Sequence, residues 1–233
     1  TWAISGSYAE AALCAEIHVF PLPVALTCSQ GAAIGVPYGT AYRALFQRAG
    51  AQPGQTVFIH GASGGVGLAA LQFARAAGMR VLGSAGSPEG LELIRRQGAA
   101  FAVDHAEASH LEAVRKFTDG KGVDVILEML ANANLAEDLT LLGPRGRVVV
   151  IGSRGAIEID PREAMGREAA ILGMSLFNLS PEELAQAHAA IGAGLEQGTL
   201  NPVVSRELPL AEAATAHHVI LEGHSLGKII LLP

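Results

Sequence analysis

The chain has 233 residues, of which 50% are hydrophobic and 16% charged, and its formal net charge is −6. This length suits one large domain or one and a half, with enough apolar residues for a substantial core. The acidic balance and the lack of a basic run disfavour a dedicated nucleic-acid surface, and no apolar stretch is long enough to span a membrane. Cys14 and Cys28 have no metal-ligand spacing and suggest no disulfide framework. No signal-peptide pattern opens the sequence, so we expect a cytoplasmic protein.

The first fifty residues differ in pattern from the rest. Alternating residues at 6–20 predict one or two strands. Residues 30–46 predict two helical segments, with a break at 35–37 where a glycine comes shortly before a proline. A turn at 52–55 then leads the chain into the first strand of a sheet.

From this point short apolar runs alternate with helical patterns. The first predicted strand carries Val57 and Ile59, and the next five are expected at 81–85, 101–104, 123–129, 146–152 and 170–176. The helices between them are expected up to Gly78, from Ser87 to Gly98, at 109–119 and at 134–142. This alternation predicts an α/β fold with a parallel, doubly wound sheet. The sequence then predicts a helix at 180–197, a strand at 205–208, a helix at 210–222 and a strand at 228–232.

The glycine-rich stretch after the first predicted strand is the central motif of the chain. It has the spacing Gly61-x-x-Gly64-x-x-Gly67, with Gly65 as an additional glycine, between a buried strand and a helix. In such a unit the free backbone N–H groups and the positive end of the helix dipole meet at a point that suits a phosphate. Gly64 and Gly65 would allow close approach of a pyrophosphate, and Gly67 would allow tight packing of helix on strand.

The same residues allow two other interpretations. Residues 61–65 also satisfy G-x-S-x-G, the nucleophile elbow of hydrolases, which would make Ser63 a nucleophile. That mechanism needs an acid and a histidine further along the chain; histidines are available, but no oxyanion segment of the HGGG type is present. A second G-x-S-x-G at 223–227 precedes a strand-like run and no later histidine, so we take it as chance. The third interpretation is a tight turn that binds no ligand.

Loops after the other predicted strands bear on the choice of ligand. The end of the second strand, residues 83–87, has no Asp or Glu for a ribose 2′-hydroxyl, and also no Arg or Lys for a 2′-phosphate. His105, past the third strand, is either a phosphate donor or a surface-loop histidine. Asn132 and Asn134 follow the fourth strand, and 152–155 follows the fifth. These loops would face a ligand bound at the carboxyl ends of the strands, or else form a helix cap and a turn.

Five stretches together carry a resemblance to a known family; they are residues 31–38, 60–70, 128–132, 150–155 and 227–232. On these motifs the chain resembles, over its whole length, the zinc-free quinone oxidoreductases of the medium-chain dehydrogenase/reductase superfamily, in the zeta-crystallin branch. The resemblance implies a Rossmann domain combined with the remainder of a GroES-like, β-rich catalytic domain. It also implies NADPH-dependent reduction of quinones, with ortho-quinones favoured, and no metal.

By the same resemblance, the family's cofactor contacts map onto residues of this chain. The pyrophosphate turn corresponds to Ser63, Gly64, Gly65 and Val66, and the adenosine and 2′-phosphate side to Gly86 and His105. The nicotinamide end corresponds to Asn134, Ile151, Gly152, Ser153, Arg154, Met174, Ser175 and Leu176. Thr40 and Lys228 match positions that approach the nicotinamide–pyrophosphate half. No general acid is assigned, because a quinone is already a good electron acceptor.

The resemblance divides the chain into residues 1–32, the remainder of the catalytic domain, 33–177, the Rossmann NADPH-binding domain, and 178–233, a return to the catalytic domain. Most of the family's N-terminal catalytic domain is absent from the sequence, so we expect a fragment. The family also implies a homo-oligomer, a dimer or tetramer, in which the sixth strand pairs across a two-fold axis. Two alternatives remain: an NADPH-dependent enone or alkenal reductase, and an NADPH-binding protein with a structural or RNA-binding role, against which the net charge argues.

Overall fold

The computed structural model describes residues 6–222 and 226–233, and a six-stranded parallel β-sheet forms its centre. The strands of this sheet are β1 (Thr56–Ile59), β2 (Arg80–Ala85), β3 (Phe101–Asp104), β4 (Val123–Glu128), β5 (Leu142–Val150) and β6 (Ala170–Gly173). Their order is β3-β2-β1-β4-β5-β6, so the direction in which strands are added reverses between β1 and β4. This is the topological switch point of a doubly wound sheet, and the predicted Rossmann fold is confirmed.

Helices pack around this sheet and continue into the C-terminal part. The described α-helices are α1 (Cys28–Ala32), α2 (Gly35–Tyr42), α3 (Gly65–Ala76), α4 (Pro88–Arg96), α5 (His110–Phe117), α6 (Ala131–Leu141), α7 (Pro161–Arg167), α8 (Pro181–Glu196) and α9 (Ala213–Leu221). Single 3₁₀ turns lie at Glu16–His18, Leu176–Asn178 and Leu210–Glu212, and α2 continues as a π-helix over Arg43–Arg48. A separate two-stranded sheet pairs β7 (Val204–Pro209) with β8 (Lys228–Leu232). None of the helices in the described ranges is long and apolar enough to cross a bilayer.

The residues of β1 explain why this strand lies at the centre of the sheet. Val57, Phe58 and Ile59 are fully buried, and β-branched and aromatic side chains suit such a strand. Because successive side chains point to opposite faces, Val57 and Ile59 join one hydrophobic cluster while Phe58 joins another. The sheet is therefore covered on both faces, as parallel sheets are.

Side-chain caps mark the starts of two predicted helices. The hydroxyl of Ser87 accepts a hydrogen bond from the N–H of Gly90 at 3.1 Å, at the start of α4. Ser180 and Glu183 form a reciprocal capping box at the start of α8. Helix α3 differs, because its N-cap residue is Gly64, which has no side chain to cap it.

Several boundaries differ from the sequence predictions. The strands predicted at 6–20 are wrong: these residues form bends and a 3₁₀ turn, and no described strand pairs with them. The break before α2 lies at 33–34, because Pro37 fits the first turn of a helix, where its missing N–H is not needed. Helix α6 begins, and β6 ends, earlier than predicted, and α7 was not predicted. The domain boundaries at 32 and 177 stay predictions.

The C-terminal part is connected to the sheet through α3. Gln72 on α3, which is 1% exposed, accepts hydrogen bonds from the hydroxyl of Tyr38 at 2.8 Å and from the N–H of Asn201 at 2.9 Å. Its amide group donates to the carbonyl oxygen of Asn201 at 2.9 Å. The N–H of Gly227 donates to the carbonyl oxygen of Ser63 at 2.8 Å, so the residue preceding β8 contacts the glycine turn directly.

Candidate functional site

The turn between β1 and α3 presents unpaired backbone donors. The first hydrogen bond of the helix runs from the N–H of Leu68 to the carbonyl oxygen of Gly64 at 2.9 Å. The N–H of Gly65 faces the carbonyl oxygen of Gly227, because Gly64 and Gly227 form a parallel β-bridge, whereas the N–H groups of Val66 and Gly67 have no acceptor among the described residues. Free donors at a helix N-terminus, together with the positive end of the helix dipole, make a binding site for an anion.

The glycines of this turn differ in what they permit. A Cβ added at Gly67 would lie 2.4 Å from the carbonyl oxygen of Gly61 and 2.5 Å from Cα of Ala62. No side chain fits there, so the predicted packing role of Gly67 is confirmed. At Gly64 the nearest atom would lie at 3.5 Å, which is an ordinary contact. Gly64 is therefore not required by packing, and its lack of a side chain leaves the helix start open.

Gly86 and His105 lie side by side past the ends of β2 and β3. A Cβ added at Gly86 would lie 2.5 Å from Nε2 of His105, so the imidazole ring packs directly against the glycine and leaves no room for a side chain. Partial burial lowers the pKa of His105 even though Asp104 acts in the opposite direction. The ring is therefore neutral at pH 7 and can donate one N–H without bringing a full charge. The Asp104 carboxylate already accepts the N–H of Ala106 at 2.9 Å.

The loops after β4 and β5 are joined to each other. Oδ1 of Asn132 accepts the N–H of Arg154 at 2.7 Å, and the N–H of Ala131 donates to the carbonyl oxygen of Gly152 at 2.9 Å. A Cβ added at Gly152 would lie 2.4 Å from the carbonyl oxygen of Met129, so the two loops are in close contact. They form one continuous surface beside the glycine turn.

The segment after β6 is held by two arginines of the π-helix. Nε of Arg48 donates to the carbonyl oxygen of Gly173 at 3.0 Å, and the guanidinium of Arg43 donates to the carbonyl oxygen of Asn178 at 3.4 Å. Residues 174–176 lie between these two anchored carbonyl groups. The predicted nicotinamide-end residues of this segment are thus fixed at both sides.

Thr40 and Lys228 belong to the elements that approach the start of α3 from outside the sheet. Thr40 is 5% exposed on α2, whose Pro37 would lie 3.4 Å from a Cβ added at Gly65. Lys228 follows Gly227, whose carbonyl oxygen would lie 3.5 Å from the same added Cβ. Burial lowers the pKa of Lys228.

Apart from Thr40 and Lys228, the predicted binding residues lie along the carboxyl edge of the sheet, in the order of the strands that they follow. Gly86 and His105 lie past β2 and β3, the glycine turn past β1, and the remaining loops past β4, β5 and β6. The edge passes the switch point between β1 and β4, where ligands of such sheets bind. That these residues contact a cofactor stays a prediction.

Ser63 has no catalytic partner in the ranges that the structure describes. Its hydroxyl makes no hydrogen bond there with a histidine or an acidic side chain. Oγ instead lies 3.1 Å from the position of a Cβ added at Gly90, at the start of α4. The geometry gives no support to a nucleophile elbow. The second G-x-S-x-G, at 223–227, lies largely outside the described residues.

Sequence reasoning missed a buried polar cluster next to the turn. Nε2 of His60 lies 2.7 Å from Oδ1 of Asp138 and 3.3 Å from Oε2 of Glu128, and both carboxyl groups are fully buried. The three donor atoms lie within 4.8 Å of one another, close enough to hold a metal ion, but 2.7 Å is a hydrogen-bond distance. His60 and Glu128 follow Ile59 and Leu127, which pair in β1 and β4, and this register was not available from the sequence. The predicted lack of a metal stays a prediction.

Comparison with known proteins identifies the family. Residues 65–192 match the family model described as zinc-binding dehydrogenase. The chain is 50% identical to the quinone oxidoreductase of Homo sapiens over 230 residues, which cover 98% of this chain and 70% of that protein. The chain belongs to the quinone oxidoreductase family of the medium-chain dehydrogenases/reductases.

Solved structures agree with a place in the quinone oxidoreductase family. The quinone oxidoreductase from Thermus thermophilus, which was also solved in complex with NADPH, is 36% identical with a TM-score of 0.83, covering 92% of this chain and 69% of that chain. An NAD-dependent alcohol dehydrogenase is 28% identical with a TM-score of 0.88, covering 98% of this chain and 65% of that chain. This quinone oxidoreductase family member is an enzyme, as predicted. Because the two similar structures carry different cofactors in their names, the choice between NADP and NAD depends on this chain's own residues.

Proposed function

We propose that this enzyme transfers electrons from NADPH to quinones, with the cofactor bound along the carboxyl edge of the sheet. The observation that carries the proposal is the uncapped start of α3, where Val66 and Gly67 offer free N–H groups at the switch point. Two free donors and a helix dipole suit the diphosphate of a dinucleotide. The 50% identical relative named quinone oxidoreductase and the NADPH complex of the bacterial relative support the same assignment.

The choice of NADPH over NADH rests on the ends of β2 and β3. An NAD site places an acidic side chain there to bind the ribose 2′-hydroxyl. Here Gly86 and Ser87 follow β2, and the Ser87 hydroxyl is already used to cap α4. The neutral ring of His105 would donate an N–H to the 2′-phosphate. We expect His105→Ala to raise KM for NADPH about tenfold, the value of one hydrogen bond to a charged group, and to leave KM for NADH unchanged.

The protein's part in quinone reduction is to position the reactants and to exclude water. When bound, NADPH supplies the hydride or the electrons, and a quinone needs little acid catalysis to accept them. The loops at 151–154 and 174–176 would bound the nicotinamide end. Leu176, which is 7% exposed, contributes an apolar wall there. We include the preference for ortho-quinones in the proposal, and we assign no general acid.

A turnover assay on the full-length enzyme tests this function. Loss of reduced cofactor is followed for NADPH and NADH, each with 9,10-phenanthrenequinone, with a para-quinone and with an enone. We expect NADPH with the ortho-quinone to give the highest kcat/KM. A higher value for the enone would indicate an alkenal reductase, and a higher value for NADH would refute the cofactor assignment.

We also propose that the enzyme is a homo-oligomer in which β6 pairs with β6 of a second copy. Strand β6 ends the sheet with β5 as its one described neighbour, and Ile171 on it is 41% exposed. An open edge of this kind needs cover. Light scattering should give the mass of a dimer or tetramer for the wild type and a smaller mass for Ile171→Lys. A monomeric wild type would refute the proposal.

A further inference from the structure

A buried cluster of three titratable side chains lies where β1 and β4 end. His60 follows β1, Glu128 ends β4, and Asp138 lies on α6; their exposed fractions are 6%, 0% and 0%. Within the described chain Oε2 of Glu128 and Oδ2 of Asp138 have no hydrogen-bond partner. Buried carboxyl groups at the switch point of a nucleotide-binding fold need a physical reason, because their burial is costly.

Glu128 connects this cluster to both loops of the nicotinamide end. Its Oε1 accepts the N–H of Leu130 and, at 3.2 Å, the side-chain amide of Asn134. Its backbone carbonyl oxygen accepts the N–H of Ile151 at 2.9 Å and of Gly152 at 3.3 Å. Glu128 therefore orders the start of α6 through its side-chain carboxyl group and the loop after β5 through its backbone carbonyl group.

The three side chains of the cluster shift one another's protonation. Burial raises the pKa of Glu128 and of Asp138 to about 7, and it lowers the pKa of His60. The carboxyl groups interact with each other, and two adjacent buried carboxylates cannot both stay charged. A neutral imidazole N–H can then donate to Asp138, and an acid pair of this kind can hold one proton between its two members. The charged groups that face the cluster are Glu137 on α6 and, past β3, His105 when protonated.

We propose that Glu128, held by His60 and Asp138, is a positioning residue that fixes the start of α6 and thereby Asn134 at the nicotinamide end of the cofactor edge. The proposal rests on the proposed cofactor site. Without the carboxyl group the N–H of Leu130 and the amide of Asn134 lose their acceptor, and the loop after β4 is free to shift. Glutamine keeps the acceptor oxygen, whereas alanine removes it.

The test compares Glu128→Ala and Glu128→Gln with Asp124→Asn in the full-length enzyme. Asp124 is a matched control, because its Oδ2 accepts the N–H of Thr56 at 2.7 Å at the opposite end of the same strand. We expect the Kd for NADPH to rise about tenfold in Glu128→Ala, to stay within about threefold in Glu128→Gln, and to stay unchanged in Asp124→Asn. Thermal unfolding of each variant separates the loss of binding from the loss of stability.

A pH series adds a readout that a purely structural role would not move. As the pH rises from 6 to 8 the cluster loses its shared proton and gains negative charge near the cofactor, so the wild-type affinity for NADPH falls. Glu128→Gln should show a weaker dependence, while the 2′-phosphate titrates equally in both proteins. Wild-type affinity in a folded Glu128→Ala would overturn the proposal, as would equal pH profiles for wild type and Glu128→Gln. If Glu128→Ala does not fold, Glu128→Gln and its pH profile decide.

Amide hydrogen exchange of the cofactor-free protein separates this proposal from the proposed function. Faster exchange at residues 130–134 in Glu128→Ala, but not in Asp124→Asn, supports the positioning role. This result would stand even if the wild type bound no nicotinamide cofactor, since that absence of binding would refute only the proposed function. Unchanged exchange at these residues overturns the positioning role, whatever the cofactor result.

Discussion

Replacing Gly64 by serine should stabilise the fold and weaken cofactor binding at the same time. Gly64 is the N-cap of α3, with φ −80° and ψ 172°, a conformation that an L-residue adopts without strain. A serine hydroxyl at an N-cap accepts the N–H of the second or third helical residue, here Val66 or Gly67. The gain over glycine is a few tenths of a kcal/mol. The same N–H is then no longer available to a phosphate.

The loss of binding follows from the number of donors. Two free N–H groups lie at the start of the helix, at Val66 and Gly67, and the serine hydroxyl would occupy one of them. A hydrogen bond to a charged group contributes about 1.5–3 kcal/mol, so we expect the Kd for NADPH to rise by about ten- to a hundredfold. Fluorescence titration gives the Kd, and urea denaturation gives the free energy of unfolding.

Alanine at the same position is the matched control. Gly64→Ala adds a Cβ, which meets its nearest atom at 3.5 Å, but no hydroxyl. It should leave the Kd nearer to wild type than serine does, and it should not stabilise the protein. If the serine variant binds NADPH as tightly as wild type while the helix is measurably more stable, the free N–H groups are not the phosphate site and the reasoning fails.

Three further predictions concern stability. Gly67→Ala should lower the melting temperature by about 4–8 °C, because overpacking against Gly61 costs about 2 kcal/mol. Calorimetry measures this change, and Gly192→Ala is the control because a Cβ at Gly192 in α8 meets open space. Gln72→Leu should cost about 3 kcal/mol in urea denaturation, because the buried Tyr38 hydroxyl loses its acceptor; an unchanged midpoint would contradict this. Burial raises the pKa of Asp138 to about 7, so the folded state holds an extra proton between about pH 4 and 7. As the pH rises through that window, the free energy of unfolding of the wild type should fall relative to that of Asp138→Asn by on the order of 4 kcal/mol, and it should stay level at higher pH.

Elements whose signals are local could be predicted from the sequence. The β-branched residues of β1, the Ser87 cap of α4 and the capping box of Ser180 and Glu183 each depend on neighbours a few residues away, and the structure has all three. The alternation at 6–20 is equally local, but a strand also needs a partner to accept its hydrogen bonds, and none is described. Residue pattern alone cannot supply that partner.

In the candidate site, too, local features could be predicted from the sequence and features that depend on tertiary contacts could not. The glycine turn could be predicted because strand, turn and helix are consecutive, whereas the other predicted binding residues were assigned from resemblance to a family. The contact of Gly86 with His105 could be expected only once β2 and β3 were known to be neighbours. His60, Glu128 and Asp138 were missed because strand register and the packing of α6 bring them together, and neither is written in the spacing of the residues.

The hydrogen bond from Gly227 to Ser63 predicts an order in which the parts of the chain assemble. All six strands of the sheet precede Gly227 in the chain, and contacts between residues so far apart form late, because a long loop must close first. During synthesis the sheet can fold while the segment 226–233 is still inside the ribosome. The glycine turn then lacks its bridge from Gly64 to Gly227. The sheet can therefore form before the glycine turn is complete, and the proposed cofactor site would be completed only when the chain has been made beyond Gly227.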